Sequence, residues 1–265
     1  MRLRQVMGDS PVYLVGETID SRKTIMQFVG PGALDGQFDF PLHWPTREVF
    51  AQGRGSFSDI DGALADGERE YDPTAIHSTL LGNHDVPRFM CFADGDPEVG
   101  ETVQVDNPES YKKLVLGFTF LMTQSGVPMV YYGDEIGMTG GKDPDNRRMM
   151  RFGEAVMPDE QSVLAVFEKL TSIRREHPAL RRGARRTVHV SGESYAYLRT
   201  YFEDRLLVAF NRSADTMTLD LLIQPEFTDC KLKGLMTGAA AEVSPAGLVR
   251  LTIPSKSAEI WVRER

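Results

Sequence analysis

Leu80-Leu81-Gly82-Asn83-His84-Asp85-Val86-Pro87-Arg88-Phe89 passes from an apolar pair into three polar residues within one turn's length. The residues leading into it, Ile76-His77-Ser78-Thr79-Leu80-Leu81, have the composition of a strand. Polar residues straight off the end of a buried strand suit a site at the strand's mouth. The same grammar occurs twice more. Val12-Tyr13-Leu14-Val15 ends at Gly16-Glu17, and Val127-Pro128-Met129-Val130-Tyr131-Tyr132 ends at Gly133-Asp134-Glu135.

Helical segments separate these strands. Residues 42–53 and 57–68 have helical composition. Asn107 can cap a helix beginning at Pro108, a favoured first helical residue. Its body, Tyr111 to Gln124, is apolar almost all round, which predicts deep burial, and Gly126 stops it. Residues 161–176 carry Val163, Val166, Phe167, Leu170 and Ile173 on one face. Met1 to Met7 reads as the end of a helix. Strand–helix alternation predicts an α/β fold, a parallel sheet with helical crossovers. After about Pro178 short alternating runs take over, at 194–202, 205–211, 216–222, 229–235, 247–253 and 257–263. They predict a small all-β sandwich. The expected division is 1–178 and 179–265.

The 265 residues, 41% hydrophobic, supply ample material for a core. The net charge is −8 and no basic stripe exists, so nucleic acid is not an expected partner. The one basic run, Arg181, Arg182, Arg185 and Arg186, reads as a solvated linker. Cys91 and Cys230 lie far apart without metal spacing, as two free thiols in a reducing, cytoplasm-like compartment would. No apolar run approaches the ~20 residues of a membrane span, and Met1-Arg2-Leu3-Arg4 has no signal-peptide pattern.

Three places carry candidate chemistry. A carboxylic acid at a strand mouth, here Glu17, can have its pKa raised by desolvation and protonate a leaving oxygen; otherwise it caps the next loop. His84 and Asp85 point in different directions, so they can face a ligand from two angles without pairing; otherwise Asn83-His84-Asp85 is a polar turn. In Gly140-Gly141-Lys142-Asp143-Pro144-Asp145-Asn146-Arg147-Arg148, Arg147 and Asp143 offer donors and acceptors suited to sugar hydroxyls; otherwise this is a surface turn. Tyr131 and Tyr132 read as core.

Taken in order, Tyr13 to Glu17, Leu80 to Phe89 and Val130 to Met138 resemble the fifth-, seventh- and eighth-strand motifs of the α-amylase family, glycoside hydrolase family 13. Asp143-Pro144-Asp145-Asn146-Arg147 resembles the segment after the eighth strand in its cyclodextrinase, neopullulanase and maltogenic amylase branch. The resemblance spans roughly residues 1–178, and the terminal β-module matches the family's C-terminal domain in place and length. It implies the C-terminal half of a (β/α)8 barrel, strands five to eight, followed by a β-sandwich. It also implies retaining chemistry, hydrolysis or transfer, at α-1,4-glucosidic bonds of an α-glucan or maltodextrin. By the same resemblance Glu17 is the general acid/base and Asp85 stabilises the oxocarbenium-like transition state. His84 bonds hydroxyls of the sugar being cleaved. Asp143 and Arg147 hold a sugar on the non-reducing side, and Arg88 joins the substrate-binding set. Thr18 and Ile19 follow Glu17 where many members carry an aromatic, which leaves the leaving-group subsites open.

One part of the pattern is missing. A retaining glycosidase sets its two carboxylates about 5–5.5 Å apart. The family's nucleophile is an Asp in a G-x-R-x-D motif upstream of the acid/base. None of the sixteen residues before Glu17 forms that motif, and Asp9 is the one acid among them. The family's D-x-x-x-N-H block is absent too. The expectation is a truncated chain beginning inside the fourth helix, so its start says nothing about export. The family's metal sites lie largely in the first half, so neither metal nor cofactor is expected. Strands five and eight would be open edges, which predicts self-association or a separate N-terminal half. A glucan-binding or inert descendant is the non-catalytic alternative.

Overall fold

A computed structural model describes residues 12–95 and 103–264. The Met1–Met7 helix reading and Asp9 fall outside the described residues.

Four short parallel strands form the first part: β1 (Val15–Gly16), β2 (Gly36–Gln37), β3 (Ser78–Leu80) and β4 (Val127–Met129). β1 pairs with β2 and β3 with β4, and a single parallel bridge between Phe38 and Ser78 joins the two pairs. Among the described residues β1 and β4 each pair on one side only. Three of these strands answer to the apolar runs. β2 has no alternation to betray it, and its Gly36 is needed for close approach: a Cβ there would collide with the Ile76 carbonyl.

The helices are α1 (Arg22–Ile25), α2 (Phe40–Thr46), α3 (Phe57–Glu70), α4 (Phe89–Asp94), α5 (Pro108–Thr123), α6 (Pro158–Glu176) and α7 (Pro178–Arg182). α2 contains Pro45 and runs on into a π-helical turn, Arg47–Ala51, the kind of local widening a helix uses to absorb an irregularity. Ser56 opens α3, its backbone N–H donating to Asp59 Oδ2 at 2.7 Å. Asn107 Oδ1 caps α5 by accepting from Glu109 N at 3.1 Å, with Pro108 in the first turn as expected. Leu114, Leu116, Phe118, Phe120 and Leu121 of α5 are buried, as its all-round apolar surface requires. No helix of the described residues is long and apolar enough to cross a membrane.

From Ala184 onward the chain is antiparallel: β5 (Ala184–Val190), β6 (Ser194–Tyr201), β7 (Asp204–Asn211), β8 (Met217–Leu222), β9 (Cys230–Gly234), β10 (Ala240–Val243), β11 (Leu248–Ile253) and β12 (Ser257–Arg263). The hydrogen-bonded order is β5-β6-β7-β12-β9-β10-β11-β8. Where two separate sheets are expected of a sandwich, one continuous eight-stranded sheet folds over on itself. Ala196, Leu198, Leu207 and Ala209 meet Leu219, Leu221, Leu232, Leu251 and Trp261 across its inside.

The other face of β6 and β7 packs on the helices. Tyr195, Tyr197, Leu206, Val208 and Phe210 share one core with Phe50, Phe57 and Phe120. Phe210 lies 5.9 Å from Phe50 and 6.0 Å from Phe57, ring centroid to centroid. Both faces of β6 and β7 are therefore buried. The basic run is not a solvated linker: Arg181 and Arg182 end α7, while Arg185 and Arg186 lie in β5. The Arg185 side chain is 5% exposed and holds Asp61 at 2.6 Å and Glu68 at 2.8 Å on α3. Burial beside two carboxylates draws Arg185 onto the fold, while Arg181, Arg182 and Arg186 stay exposed.

Candidate active site

Parallel strands deliver their exits to one end, and the candidate residues follow those exits. Glu17 comes directly after β1, Asn83-His84-Asp85 just after β3, and Tyr131 to Arg148 after β4. Asn83 is buried and donates through Nδ2 to Glu17 Oε1 at 3.1 Å, tying the first exit to the second. Glu17 itself is exposed among the described residues.

His84 and Asp85 do pair, against the expectation that neighbours on a strand exit diverge: Nε2 lies 3.2 Å from Asp85 Oδ1. The Asx turn made by Asn83 Oδ1 and Asp85 N, 3.0 Å apart, curls the chain back. Arg147 Nη2 reaches 3.6 Å from the same Asp85 oxygen and 3.2 Å from Asp143 Oδ2. His84, Asp85, Arg147 and Asp143 thus form one half-exposed chain of alternating donors and acceptors. Such a chain can exchange its internal bonds for those of a polyhydroxyl ligand.

Beneath it lies a buried brace. Arg88, expected among the substrate-binding residues, has a fully buried side chain. Its Nε donates to Asn146 O at 3.0 Å, and its Nη1 to Tyr132 O at 2.7 Å and Asp134 Oδ1 at 3.0 Å. The Tyr131 and Tyr132 rings cover the guanidinium, with centroids 4.3 and 4.8 Å away. A guanidinium enclosed by carbonyls and rings positions loops and does not face solvent. Burial pushes the Asp134 carboxyl up to about 7, with Arg88 opposing the shift and Glu135 adding to it. Tyr131 is likewise raised to about 12 by burial and by neighbouring Tyr132.

Asn146 completes the brace. Fully buried, it donates through Nδ2 to His84 O at 2.8 Å and Val86 O at 3.0 Å. It therefore holds the His84–Asp85 turn against the loop carrying Asp143 and Arg147. Sequence reading assigned it no role. Its one signal was a loop asparagine, a residue that readily bonds backbone. Among the described residues no group of three His, Cys, Asp or Glu side chains is placed to hold a metal ion. Cys91 and Cys230 are not joined in a disulfide, and Cys91 Sγ accepts from Gly140 N at 3.2 Å.

With this geometry in place, comparison with known proteins is informative. The family described as "Alpha amylase, catalytic domain" matches residues 2–157. The chain belongs to the α-amylase family. The "Maltogenic Amylase, C-terminal domain" family matches residues 186–260, most of the folded-over sheet. A cyclomaltodextrin glucanotransferase of Geobacillus stearothermophilus is 32% identical over 80% of this chain and 28% of its own length. A cyclomaltodextrinase of Thermoanaerobacter pseudethanolicus is 30% identical over 67% of this chain and 29% of its own. Among solved structures, the acarbose complex of an α-amylase from Geobacillus thermoleovorans superposes with a TM-score of 0.83 at 25% identity. It covers 96% of this chain and 53% of that one. The three-domain cyclomaltodextrin glucanotransferase CldA gives 0.82 at 26% identity, over 98% of this chain and 51% of that one. The chain thus spans under a third of these two curated relatives and about half of these two solved α-amylase-family structures.

Proposed function

We propose that this chain supplies the acid/base part of a retaining, α-glucan-active centre working at α-1,4-glucosidic bonds, by hydrolysis or transfer. In this reading β1 to β4 are strands five to eight of a (β/α)8 barrel. Residues 1–178 then belong to that barrel and 179–265 to the C-terminal β-domain. Glu17 protonates the leaving oxygen and afterwards takes a proton from the incoming water or sugar hydroxyl. Asp85 stabilises positive charge developing on the sugar ring. His84 bonds the hydroxyls of that sugar, Asp143 and Arg147 hold a glucosyl unit on its non-reducing side, and Arg88 braces them from below.

One observation carries the proposal. Three strand exits converge, and His84, Asp85, Arg147 and Asp143 join in one contact chain while Asn83 ties Glu17 to the same loop. The nucleophile is the remaining requirement, since the sequence contains no G-x-R-x-D motif. In this reading it comes from further polypeptide that pairs with β1 and β4, either an N-terminal half or a second copy. Their sides left unpaired among the described residues, with Val15 and Val127 partly exposed, support such a partner. The missing motif favours one alternative, a chain that binds glucan without turning it over.

The test is sugar release from maltoheptaose and β-cyclodextrin by the purified chain and its Glu17→Gln variant, with calorimetric titration of maltoheptaose. Turnover lost in Glu17→Gln sustains the acid/base role and assigns the nucleophile to this chain or its second copy. No turnover, with binding heat abolished by Arg147→Ala, rules out a nucleophile from this chain or its second copy and leaves a separate N-terminal half or the binding reading. Neither turnover nor heat at millimolar sugar refutes both for this chain alone.

A further inference from the structure

Beyond Arg147 the loop runs without helix or turn from Arg148 to Phe152. It is extended at both ends, with φ −56° and ψ 153° at the first and φ −139° and ψ 158° at the last. Its side chains alternate. Arg148 turns inward, Nε donating to Asp145 Oδ1 at 2.7 Å and Nη1 to Thr139 Oγ1 at 3.3 Å. Met150 also turns inward and packs on the cluster of Ile136, Met138 and Val156. Arg147 and Met149 are left outward, because side chains two apart on an extended chain share a side. At ~3.3 Å per residue, their Cα atoms are about 6–7 Å apart.

Both flanks of Met149 are anchored. Tyr132 Oη donates to the carbonyl of Arg148 at 2.8 Å. Arg151 donates to the fully buried Glu160 at 2.9 Å and to the Ala155 carbonyl at 3.0 Å. Between these anchors Met149 is 88% exposed, the most exposed large apolar side chain among the described residues. A single exposed apolar side chain is ordinary. This one sits on fixed backbone, shares a side with Arg147, and has the partly exposed Tyr132 ring tied to the residue between them. Asp143 and Arg147 can serve the hydroxyl edges of a glucosyl unit but offer nothing to C–H faces. A thioether side chain adapts to such faces readily.

We propose that Met149, backed by Tyr132, packs on the C–H face of the glucosyl unit next outward from the one held by Asp143 and Arg147. The site then prefers an α-glucan chain to a single glucosyl unit, and Met149 is the residue that sets the preference. This rests on the reading of the strand-exit centre given above.

The test is titration of methyl α-D-glucoside and maltoheptaose into the full chain, followed by amide chemical shifts, in the parent and in Met149→Ser, Phe152→Ser and Arg147→Ala. Phe152 is 73% exposed but three residues from Met149, an odd step that takes it off the shared side, so it controls for loss of any apolar side chain from this loop. Met149→Ser should weaken maltoheptaose about three- to tenfold, the worth of covering part of one Met side chain, and leave the glucoside unchanged. Phe152→Ser should leave both unchanged. Unchanged maltoheptaose affinity in Met149→Ser overturns the proposal, and if Arg147→Ala still abolishes binding the reading of the centre stands without it. Equal weakening of both ligands, or equal weakening by Phe152→Ser, also overturns it. So does a change in sedimentation of Met149→Ser with sugar affinity intact, which makes Met149 a protein contact. Absence of saturable binding of either sugar to the parent refutes both the proposal and the reading beneath it for this chain.

Discussion

Replacing Asn146 by alanine removes one buried amide and tests whether the brace holds the site together. The amide donates to the carbonyls of His84 and Val86 at 2.8 and 3.0 Å, and its residue is fully buried. Losing both bonds leaves two carbonyls of a half-buried turn short of a donor. At about 1–2 kcal/mol for each of these part-buried groups, the low end of the usual range, the loss should total about 2–4 kcal/mol. With a urea slope of about 2 kcal/mol per molar, the midpoint falls by roughly 1–2 M. The effect is also local. Arg147 and Arg148 are trypsin targets in the loop that Asn146 anchors. Loosening by ~2 kcal/mol raises the open population about thirtyfold, and cleavage after Arg147 or Arg148 should accelerate to match. Asn146→Asp discriminates further. It keeps the shape but turns a donor toward two carbonyls into an acceptor, so it should cost more than alanine at neutral pH and recover partly in acid. Asn146→Ala with stability within 0.5 kcal/mol of the parent and unchanged cleavage would refute the reasoning.

Three other perturbations follow from features of the fold. Phe210→Ala empties the aromatic contact between the sheet and the helices and should cost about 3–5 kcal/mol; calorimetry should show one unfolding transition, since the core is shared, and two transitions would contradict that. Gly36→Ala drives a methyl into the Ile76 carbonyl and should cost about 1–3 kcal/mol by denaturation, whereas a neutral result would mean β2 and β3 are not in contact. Two buried groups give opposing pH dependences. Burial raises Asp134 to about 7 from 3.8, so the folded chain holds the extra proton and this group's contribution to stability falls as pH rises from about 4 to 7. Burial lowers His43 to about 4 from 6.5, so its contribution falls as pH drops from 6.5 to 4. Each is worth on the order of 3–4 kcal/mol across its window. Asp134→Asn should therefore make stability rise with pH between 4 and 6.5, and His43→Gln should make it fall; melting curves of the two variants with the same slope would sink the assignment.

The sequence made the β3 exit legible because three polar residues interrupt an apolar run, and the same contrast exposed Glu17 and the end of β4. It made the strands too long. The ladder in β3 covers Ser78–Leu80, not all of 76–81, because pairing needs a neighbour and composition does not say where the neighbour stops. β2 could not be read, since Gly36-Gln37 carries neither alternation nor β-branching. β5 was hidden by its arginines: a charged run resembles a linker until its carboxylate partners on α3 are known. In the site, residue types were readable and directions were not. Arg88 carries the charge of a ligand-binding residue, but the rings of Tyr131 and Tyr132 and the Asn146 carbonyl enclose it.

The residues that fix these loops grip mainly backbone. Asn146 holds the carbonyls of His84 and Val86, and Arg88 those of Tyr132 and Asn146. Arg174 does the same below, holding the carbonyls of Met122, Gln124, Gly126 and Leu180. Every residue type presents the same carbonyl, so a clamp of this kind is blind to the identity of what it holds. Loop side chains that meet a ligand can drift in evolution or be randomised in a library while their backbone stays in register. The clamps themselves should tolerate almost no change.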